Sequence, residues 1–451
     1  MRTKREQFQA YHFVIQRIVA AMTTSHPDSL ERPMRRTTLS VLGGSALAVL
    51  IFVGFWVVGL IFPAGNQNWK EEGSILVDGD SGAVYVYLDS TLFPVTNLAS
   101  AKLLFSSGNT TVHDVTAADL EGEPRGWRIG IPDGPASLPE PDALVGLPWQ
   151  VCTAPESDNP MRQSSHILLD APATGEQLED NGLLVRDEEA DKFLIWNDLK
   201  FPVADDTTLL AMGFDPDAAT AVDSIFIDAV ALGPQLRAPE IEDDGEDADV
   251  LNQHDAAYGD LFSSGGQVYV LTVDGLAPIG PTTQVLLGDG ELGSATSVSA
   301  SVVSDVGTTS IEPEGFPQAV PSQSITPDGS AVCAVFNSDA VTVTVYPTPP
   351  DEITAPTAFS PPSGQDVTDT AEHVSVPGGS GALVMSQATP GAADGTVYLI
   401  SDLGVKHALA GDALKLLGYG NVKPVPVPAG FVALVPTGPA LDPDKARAQM
   451  P

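Results

Sequence analysis

Residues 85–104 read YVYLDSTLFPVTNLASAKLL, and the pattern returns three times. At Phe193 the chain reads FLIWNDLKFPVADDTTLLAMGF, at Tyr269 YVLTVDGLAPIGPTTQVLLG and at Tyr398 YLISDLGVKHALAGDALKLLGY. In the first three an aromatic precedes a proline by nine residues: Tyr85 and Pro94, Phe193 and Pro202, Tyr269 and Pro278. The fourth carries His407 where the proline would fall. The physical reading is a strand, a tight turn at Asp89-Ser90, Asn197-Asp198 or Asp274-Gly275, a second short strand, and a short Leu-rich helix ending near Gly. A ββα unit this small cannot bury its apolar face alone, so each must pack on another copy or on something larger. The first aromatics are separated by 108, 76 and 129 residues, whereas a stacked solenoid needs a fixed period. The pattern predicts four lobes, near residues 73–125, 180–235, 262–292 and 386–435, set around a separate core.

That core is expected from about 126–175 and 293–385. Residues 295–346 are rich in Val, Thr and Ser, and the segments SVSASVVSDV and AVTVTVY read as strands of a β-rich central domain. Two stretches read as exposed loops or linkers: Glu240–Asp249, with seven acids in ten residues, and the Pro-rich Pro347–Gly364. The tail after Val422 alternates Pro with Val and is expected to be extended and wrapped on a neighbouring lobe.

On the N-terminal side lies Leu39–Phe62, 24 residues without a charge. As a helix it would be about 36 Å long, enough to cross a hydrocarbon core with some tilt. Residues 1–38 hold seven of the chain's 21 Lys/Arg and three of its 59 Asp/Glu, leaving 14 and 56 beyond the apolar run. Arg32, Arg35 and Arg36 directly precede that run, so the N-terminus is expected on the cytoplasmic side and the acidic domain outside. A cleaved signal peptide would have a shorter apolar region and a small-residue cleavage site. The reading is therefore a cytoplasmic basic amphipathic helix within 1–38 (about Arg5 to Met22), a span at 39–62, and an extracytoplasmic domain at 63–451. Gly43, Gly44, Ser45, Ala46 and Ala48 form a small-residue surface where another helix could approach. The acidity of the outer domain excludes nucleic acid and anionic lipid as natural partners.

Two cysteines, Cys152 and Cys333, lie 181 positions apart on the outer side. One pair in an oxidising compartment reads as a single disulfide. It would tie the exit segment of the first lobe to the β-rich core.

Catalytic patterns are sparse. No Gly-Lys pair occurs, which excludes a conventional P-loop. The nearest approach to a hydrolase elbow, Gly378-Gly379-Ser380-Gly381-Ala382, lacks the final Gly and reads as a loop. The seven His are scattered, with none paired at i, i+4 for metal. Asp78-Gly79-Asp80 and Asp289-Gly290-Glu291 read as turns, without the twelve-residue loop of a calcium site. No catalytic, cofactor or metal residue is assigned.

The order of features closely resembles the EccB family, a membrane component of the actinobacterial type VII (ESX) secretion system. The resemblance rests on TKREQFQAYHFVIQRIVAAM, Arg-Pro-x-Arg-Arg before one span, GSILVDGDSGAVYVYLDSTLFPVTNLASAKLL, GIPDGPASLPEPDALVGLPWQVC, and a second lone Cys in the β-rich region. It is strongest over residues 3–155 and extends through all four repeats. It implies a single-pass subunit of the secretion complex, an oligomer beside EccC, EccD and EccE and near the mycosin protease. It also implies repeat lobes around a β-rich central domain, with a disulfide mapping onto Cys152 and Cys333. Family members are often labelled ATPases, and no nucleotide motif here carries that label. The expected fold class is thus β-rich α+β with one transmembrane helix, and the expected function is structural and assembly support for export. An envelope-side hydrolase (a nucleotide hydrolase without a Walker motif or a cell-wall hydrolase, with Ser380 or an acid in the reaction) and a cell-wall-binding module are the alternatives.

Overall fold

The computed structural model describes residues 4–24, 35–61, 67–71, 73–105, 110–156, 158–248, 256–288, 290, 292–338, 340–354, 369–389 and 391–450. The chain divides into two compact units, Met1–Glu71 and Glu72–Pro451. In the first, α1 (Lys4–Thr24) leaves Phe8, Tyr11, Ile15, Ile18 and Met22 exposed, and α2 (Arg35–Ile61) carries the apolar run. Leu39–Val58 has a mean hydropathy of 2.4 and none of it is buried; it is one helix long and apolar enough to cross a membrane.

The second unit contains four copies of one βββαβ lobe. In lobe 1 the strands Ser74–Asp78, Val84–Leu88 and Thr91–Val95 form an antiparallel meander. Helix Leu98–Leu103 then crosses over so that Thr111–Val115 pairs parallel to Ser74–Asp78. The spatial order third–second–first–fourth recurs in lobe 2 (from Asn181–Arg186), lobe 3 (from Leu261–Ser264) and lobe 4 (from Ala382–Gln387). The ββα motif of the sequence is therefore the middle of a larger unit. Its outer strands were hidden because the fourth is as short as Thr220–Ala221 or Thr296–Ser297.

Local chemistry explains the hairpins. Asp89 and Ser90 have φ of 47° and 58°, and Asn197 and Asp198 have φ of 47° and 61°. This is the left-handed two-residue turn that matches strand twist. Lobe 3 differs from expectation: Thr272 pairs with Gly275, so Val273-Asp274 makes the turn and Gly275 closes it. Tyr85, Phe193 and Tyr269 lie directly opposite Pro94, Pro202 and Pro278. Two ladder steps beyond a two-residue turn is a hydrogen-bonded pair and three steps is not, so a residue without an N–H is tolerated there.

A further element, invisible in the repeat pattern, covers the third strand of each lobe. An extended strap about thirty residues downstream runs parallel to it, with bridges Leu92–Arg125, Val95–Ile129, Val203–Leu236, Leu276–Thr308, Lys406–Thr437 and Leu409–Leu441. Ile129 N donates to Pro94 O (3.0 Å), Leu236 N to Pro202 O (2.7 Å) and Leu441 N to Ala408 O (2.8 Å). The counterpart of the proline in lobe 4 is therefore Ala408, which faces Tyr398, and not His407. A second observation agrees. A Cβ on strap glycines Gly126, Gly233 or Gly438 would lie 2.3, 2.6 or 2.4 Å from the rings of Phe93, Phe201 or His407. His407 thus occupies the ring position before the proline, and a longer hairpin loop in lobe 4 displaced the nine-residue count.

The core sheet is six-stranded, in the order His373–Ser375, Gln163–Leu169, Trp149–Pro155, Ala331–Phe336, Val341–Tyr346, Glu176–Gln177. SVSASVVSDV is not part of it: Thr296–Ser297 is the fourth strand of lobe 3 and Ala300–Val306 is a helix. Short Val/Ser runs carry a strand-like composition in either state, and packing on lobe 3 decides for the helix. Up to Ala248 the acidic stretch after Glu240 is folded onto lobe 3, with a bridge between Asp247 and Ala257. Asp351–Thr354 is a short helix, and residues 355–364 of the Pro-rich stretch lie outside the described residues. The tail is extended only in part: it holds helices Ala429–Ala433 and Pro443–Ala446 before reaching lobe 1.

One face of this sheet buries Trp149, Val151, Ile167, Val332 and Ala334 against lobe 2 (Val185, Ile195, Phe226) and lobe 4 (Val384, Ile400, Phe431). The opposite faces of those lobes pack outward, lobe 2 on lobe 3 through Leu209, Phe214, Leu286 and Phe316, and lobe 4 on lobe 1 through Leu103, Leu399, Leu416 and Tyr419.

The register yields a discriminating test. Ala408→Pro should leave denaturant stability within about 1 kcal/mol of the parent, as for a compatible proline site. His407→Pro removes an inward ladder N–H, leaves the facing carbonyl unsatisfied and should cost about 1–3 kcal/mol beyond the effect of Ala408→Pro. Equal effects of the two substitutions would refute the assigned register.

Candidate functional site: the disulfide row of the central sheet

Strand register aligns His373, His166, Cys152, Cys333, Thr344 and Gln177 in one row across the central sheet. Directly opposed residues project to the same face. Cys152 and Cys333 are joined by a disulfide, with Cα atoms 4.0 Å apart and both residues fully buried. The bond does not reach from the first lobe to the core. Both cysteines belong to adjacent strands of the core itself, and the 181-residue interval between them contains lobes 2 and 3. Closing so long a loop stabilises the fold by up to about 5 kcal/mol in the chain-entropy model.

Beside the disulfide, His166 stacks on His373 with ring centroids 4.7 Å apart. Burial, with a smaller repulsion from His373, pushes His166 down to about 4, so the ring is neutral at pH 7. Ser164 Oγ lies 2.8 Å from His166 Nε2 and also donates to Ala154 O at 3.2 Å. A serine beside a histidine suggests a nucleophile and its base, but efficient general bases have a pKa near the working pH. This weakly basic ring, with the hydroxyl proton directed at a carbonyl, instead orders the buried polar atoms of the sheet. Gln150 does the same, donating to Ala171 O (2.9 Å) and accepting from Tyr346 OH (2.8 Å).

At the end of the sheet, Arg162 pairs with both Glu156 and Glu372. Glu372, more than any other neighbour, raises the guanidinium pKa. Nearby Asp223 caps helix Ser224–Ala229, accepting from Ile225 N at 2.8 Å while its own N–H donates to Thr153 Oγ1 at 2.9 Å. Burial raises its carboxyl to about 6, with Glu372 and Glu188 adding to the shift and the Ile225 hydrogen bond opposing it. This cluster joins lobe 2, the edge strand and the sheet.

Sequence reasoning singled out neither Ser164, His166 nor Asp223. The only signal for the first two was the period-two alternation of Ser164 and His166 in a strand. Ser380 sits in a turn, its N–H donating to Pro377 O at 3.0 Å, and among the described residues no His, Asp or Glu hydrogen-bonds it. Asp78 accepts from Ser81 Oγ and Asp80 N, as in an Asx turn; Asp289 and Glu291 lie outside the described residues. Among the described residues no group of three or more His, Cys, Asp or Glu is placed to hold a metal.

Two outcomes follow. Reduction should shift electrophoretic mobility, and Cys152→Ser should abolish the shift; free thiols in the native protein would contradict the bond. The lowered pKa of His166 means that its stabilisation is present above the unfolded value of 6.5 and is lost as pH falls toward 4. Asp223 acts oppositely, favouring the fold as pH falls from about 6 to 3.8. Denaturant titrations between pH 4 and 7 should show a flatter acid loss in His166→Phe and a steeper one in Asp223→Asn.

A family model described as type VII secretion system ESX-1, transport TM domain B, matches residues 1–450. The ESX-5 secretion system ATPase EccB5 of Mycobacterium marinum is 30% identical over 254 residues, 53% of this chain and 49% of that protein. The match thus spans about half the length of that relative. The ESX-3 secretion system ATPase EccB3 of Mycobacterium tuberculosis (strain H37Rv) is 25% identical over 483 residues, 97% of this chain and 88% of that protein. A chain of an intact ESX-5 inner membrane complex superposes with a TM-score of 0.67 at 21% identity, covering 100% of this chain and 96% of its own. The EccB3 dimer from the ESX-3 core complex matches with 0.64 at 22% identity, covering 83% and 99%.

Proposed function

This chain belongs to the EccB family of type VII secretion transport proteins, and from that premise we propose that it is a single-span structural and assembly subunit of a secretion complex in the cell membrane. The observation that carries the reading is the attachment of an unburied apolar helix, α2, to a four-lobed domain braced by an internal disulfide. In this reading residues 1–38 face the cytoplasm and residues 63–451 the outside, following the positive charges before the span. Helices α1 and α2 meet other membrane subunits, for which EccC, EccD and EccE are the candidates, with the mycosin protease nearby. The description of the EccB3 and EccB5 relatives as ATPases favours a second reading, nucleotide hydrolysis. Turnover by the purified chain that a single acidic substitution abolishes would establish it.

Deleting residues 1–62 should abolish co-purification with the other membrane subunits while leaving a soluble domain with native thermal unfolding. Normal incorporation of the truncated chain would sink the assembly reading. Bulky replacements at Gly43 and Gly44, where a Cβ meets nothing within 4 Å, should weaken co-purification without unfolding the outer domain.

A further inference from the structure

The two lobe pairs are built alike, and one holds a segment that the other lacks. In the pair of lobes 1 and 4, the straps face each other across a cleft lined by Gly130, Ile131, Pro132, Pro439 and Lys445. The C-terminal tail runs into this cleft. Gln449 forms an antiparallel bridge with Ile129, and Met450 N donates to Arg128 O at 3.0 Å. The tail therefore adds a short strand to the outer edge of the lobe 1 strap.

In the pair of lobes 2 and 3 the corresponding straps enclose a larger cleft of about 520 Å³, lined by Pro234, Gln235, Arg237, Pro239, Ile311 and Phe316 among others. The equivalence is set by hydrogen bonds rather than by resemblance of shape. Ile129 donates to Pro94 O and accepts from Thr96 N, and Leu236 donates to Pro202 O and accepts from Ala204 N. Arg128 in lobe 1 is thus matched by Gln235 in lobe 2. Among the described residues the main-chain groups of Gln235 and Arg237 make no hydrogen bond, although Arg128 O has one. The chain itself explains the difference. After the lobe 4 strap, helix Pro443–Ala446 returns the tail toward lobe 1. After the lobe 3 strap, a turn closed by Phe316 N to Pro313 O sends the chain away, and Ser322–Ser324 pairs with the first strand of lobe 2.

We propose that the cleft between the straps of lobes 2 and 3 binds an extended segment of a partner protein, seated antiparallel to the lobe 2 strap with its backbone N–H on Gln235 O. An unsatisfied strap edge provides main-chain hydrogen bonds, and shallow pockets select side chains, as in strand addition. The volume falls within the range of about 300–1,000 Å³ typical of binding sites. Five of the cleft's ten lining residues are Pro, Ile or Phe, and the polar ones include Arg237 and Glu240, which pair with each other at 3.3 Å. Glu312 is already occupied by Gly280 N, Thr283 Oγ1 and Gln318 Nε2, so the segment that fits places a small side chain against the apolar wall at its centre, as Ala448 is placed in the tail. The proposal does not depend on which membrane subunits contact α1 and α2.

The test uses the full-length protein in detergent and a fluorescent peptide, KARAQMP, copied from residues 445–451. Anisotropy should show saturable 1:1 binding that weakens at least tenfold in Gln235→Trp, whose side chain is exposed and would fill the cleft, and at least tenfold when the methionine nitrogen of the peptide is methylated. Arg128→Trp should leave binding unchanged. Native thermal unfolding of both variants makes the comparison valid. Absence of saturable binding at 1 mM peptide, or loss of binding in Arg128→Trp instead of Gln235→Trp, would overturn the proposal. Concentration-dependent dimerisation abolished by Gln235→Trp would overturn it in favour of a second copy of this chain.

Discussion

Burial of one face of the central sheet is the constraint on which the outer unit depends. Trp149, Val151, Ile167, Val332 and Ala334 present an apolar surface that water would leave exposed, and helices Ser224–Ala229 and Ala429–Ala433 lie across it with Phe226 and Phe431. Apolar burial stabilises by roughly 25 cal/mol per Å², so this contact outweighs the marginal propensity of five- or six-residue helices. The helices need support at their ends, and one position in the third strand supplies it. Lys200 Nζ donates to Ile227 O at 2.6 Å, while Lys406 Nζ donates to Val432 O at 2.6 Å and Ala433 O at 2.8 Å. An amine suits the carbonyl end of a helix. Lobes 1 and 3, which do not touch this face, carry Leu92 and Leu276 at the same position.

The lobes thus fall into two kinds. Inner lobes 2 and 4 are buried on both faces of their sheets: Gly182, Leu183, Leu184 and Val185 form an unbroken buried run. Outer lobes 1 and 3 pack on lobes 4 and 2, and among the described residues they contribute nothing to the core on the central sheet face. An unpaired strand edge is an open template for association, and every lobe closes its third strand with a strap. The same device that protects the edge leaves the outer side of each strap available. The chain satisfies that side with its own tail in one lobe pair and not in the other.

The disulfide acts at a different level. It joins neighbouring strands already in register, so it adds no contact that the sheet lacks. Its effect is on the unfolded chain, by fastening the two segments of the core that lobes 2 and 3 separate in sequence. His166 beside it is a neutral packing element, and its titration is a loss of stability in acid.

By itself the sequence determined the uncharged helix, the number of lobes, the hairpin turns of lobes 1 and 2 and the cysteine pair, because each is written locally: a hydropathy run, a repeated pattern, a turn dipeptide, a count of two. It also carried the family resemblance, through the basic helix, the span and the segment leading to Cys152. Tertiary structure alone decided the fourth strands, the straps, the helical state of Ala300–Val306 and the place of His407. Those depend on partners some thirty residues away or on packing against another lobe. The register that aligns His166 with Cys152, and Gln235 with Arg128 across two different lobes, is likewise a property of hydrogen-bonded pairing. No local pattern of residue types encodes it.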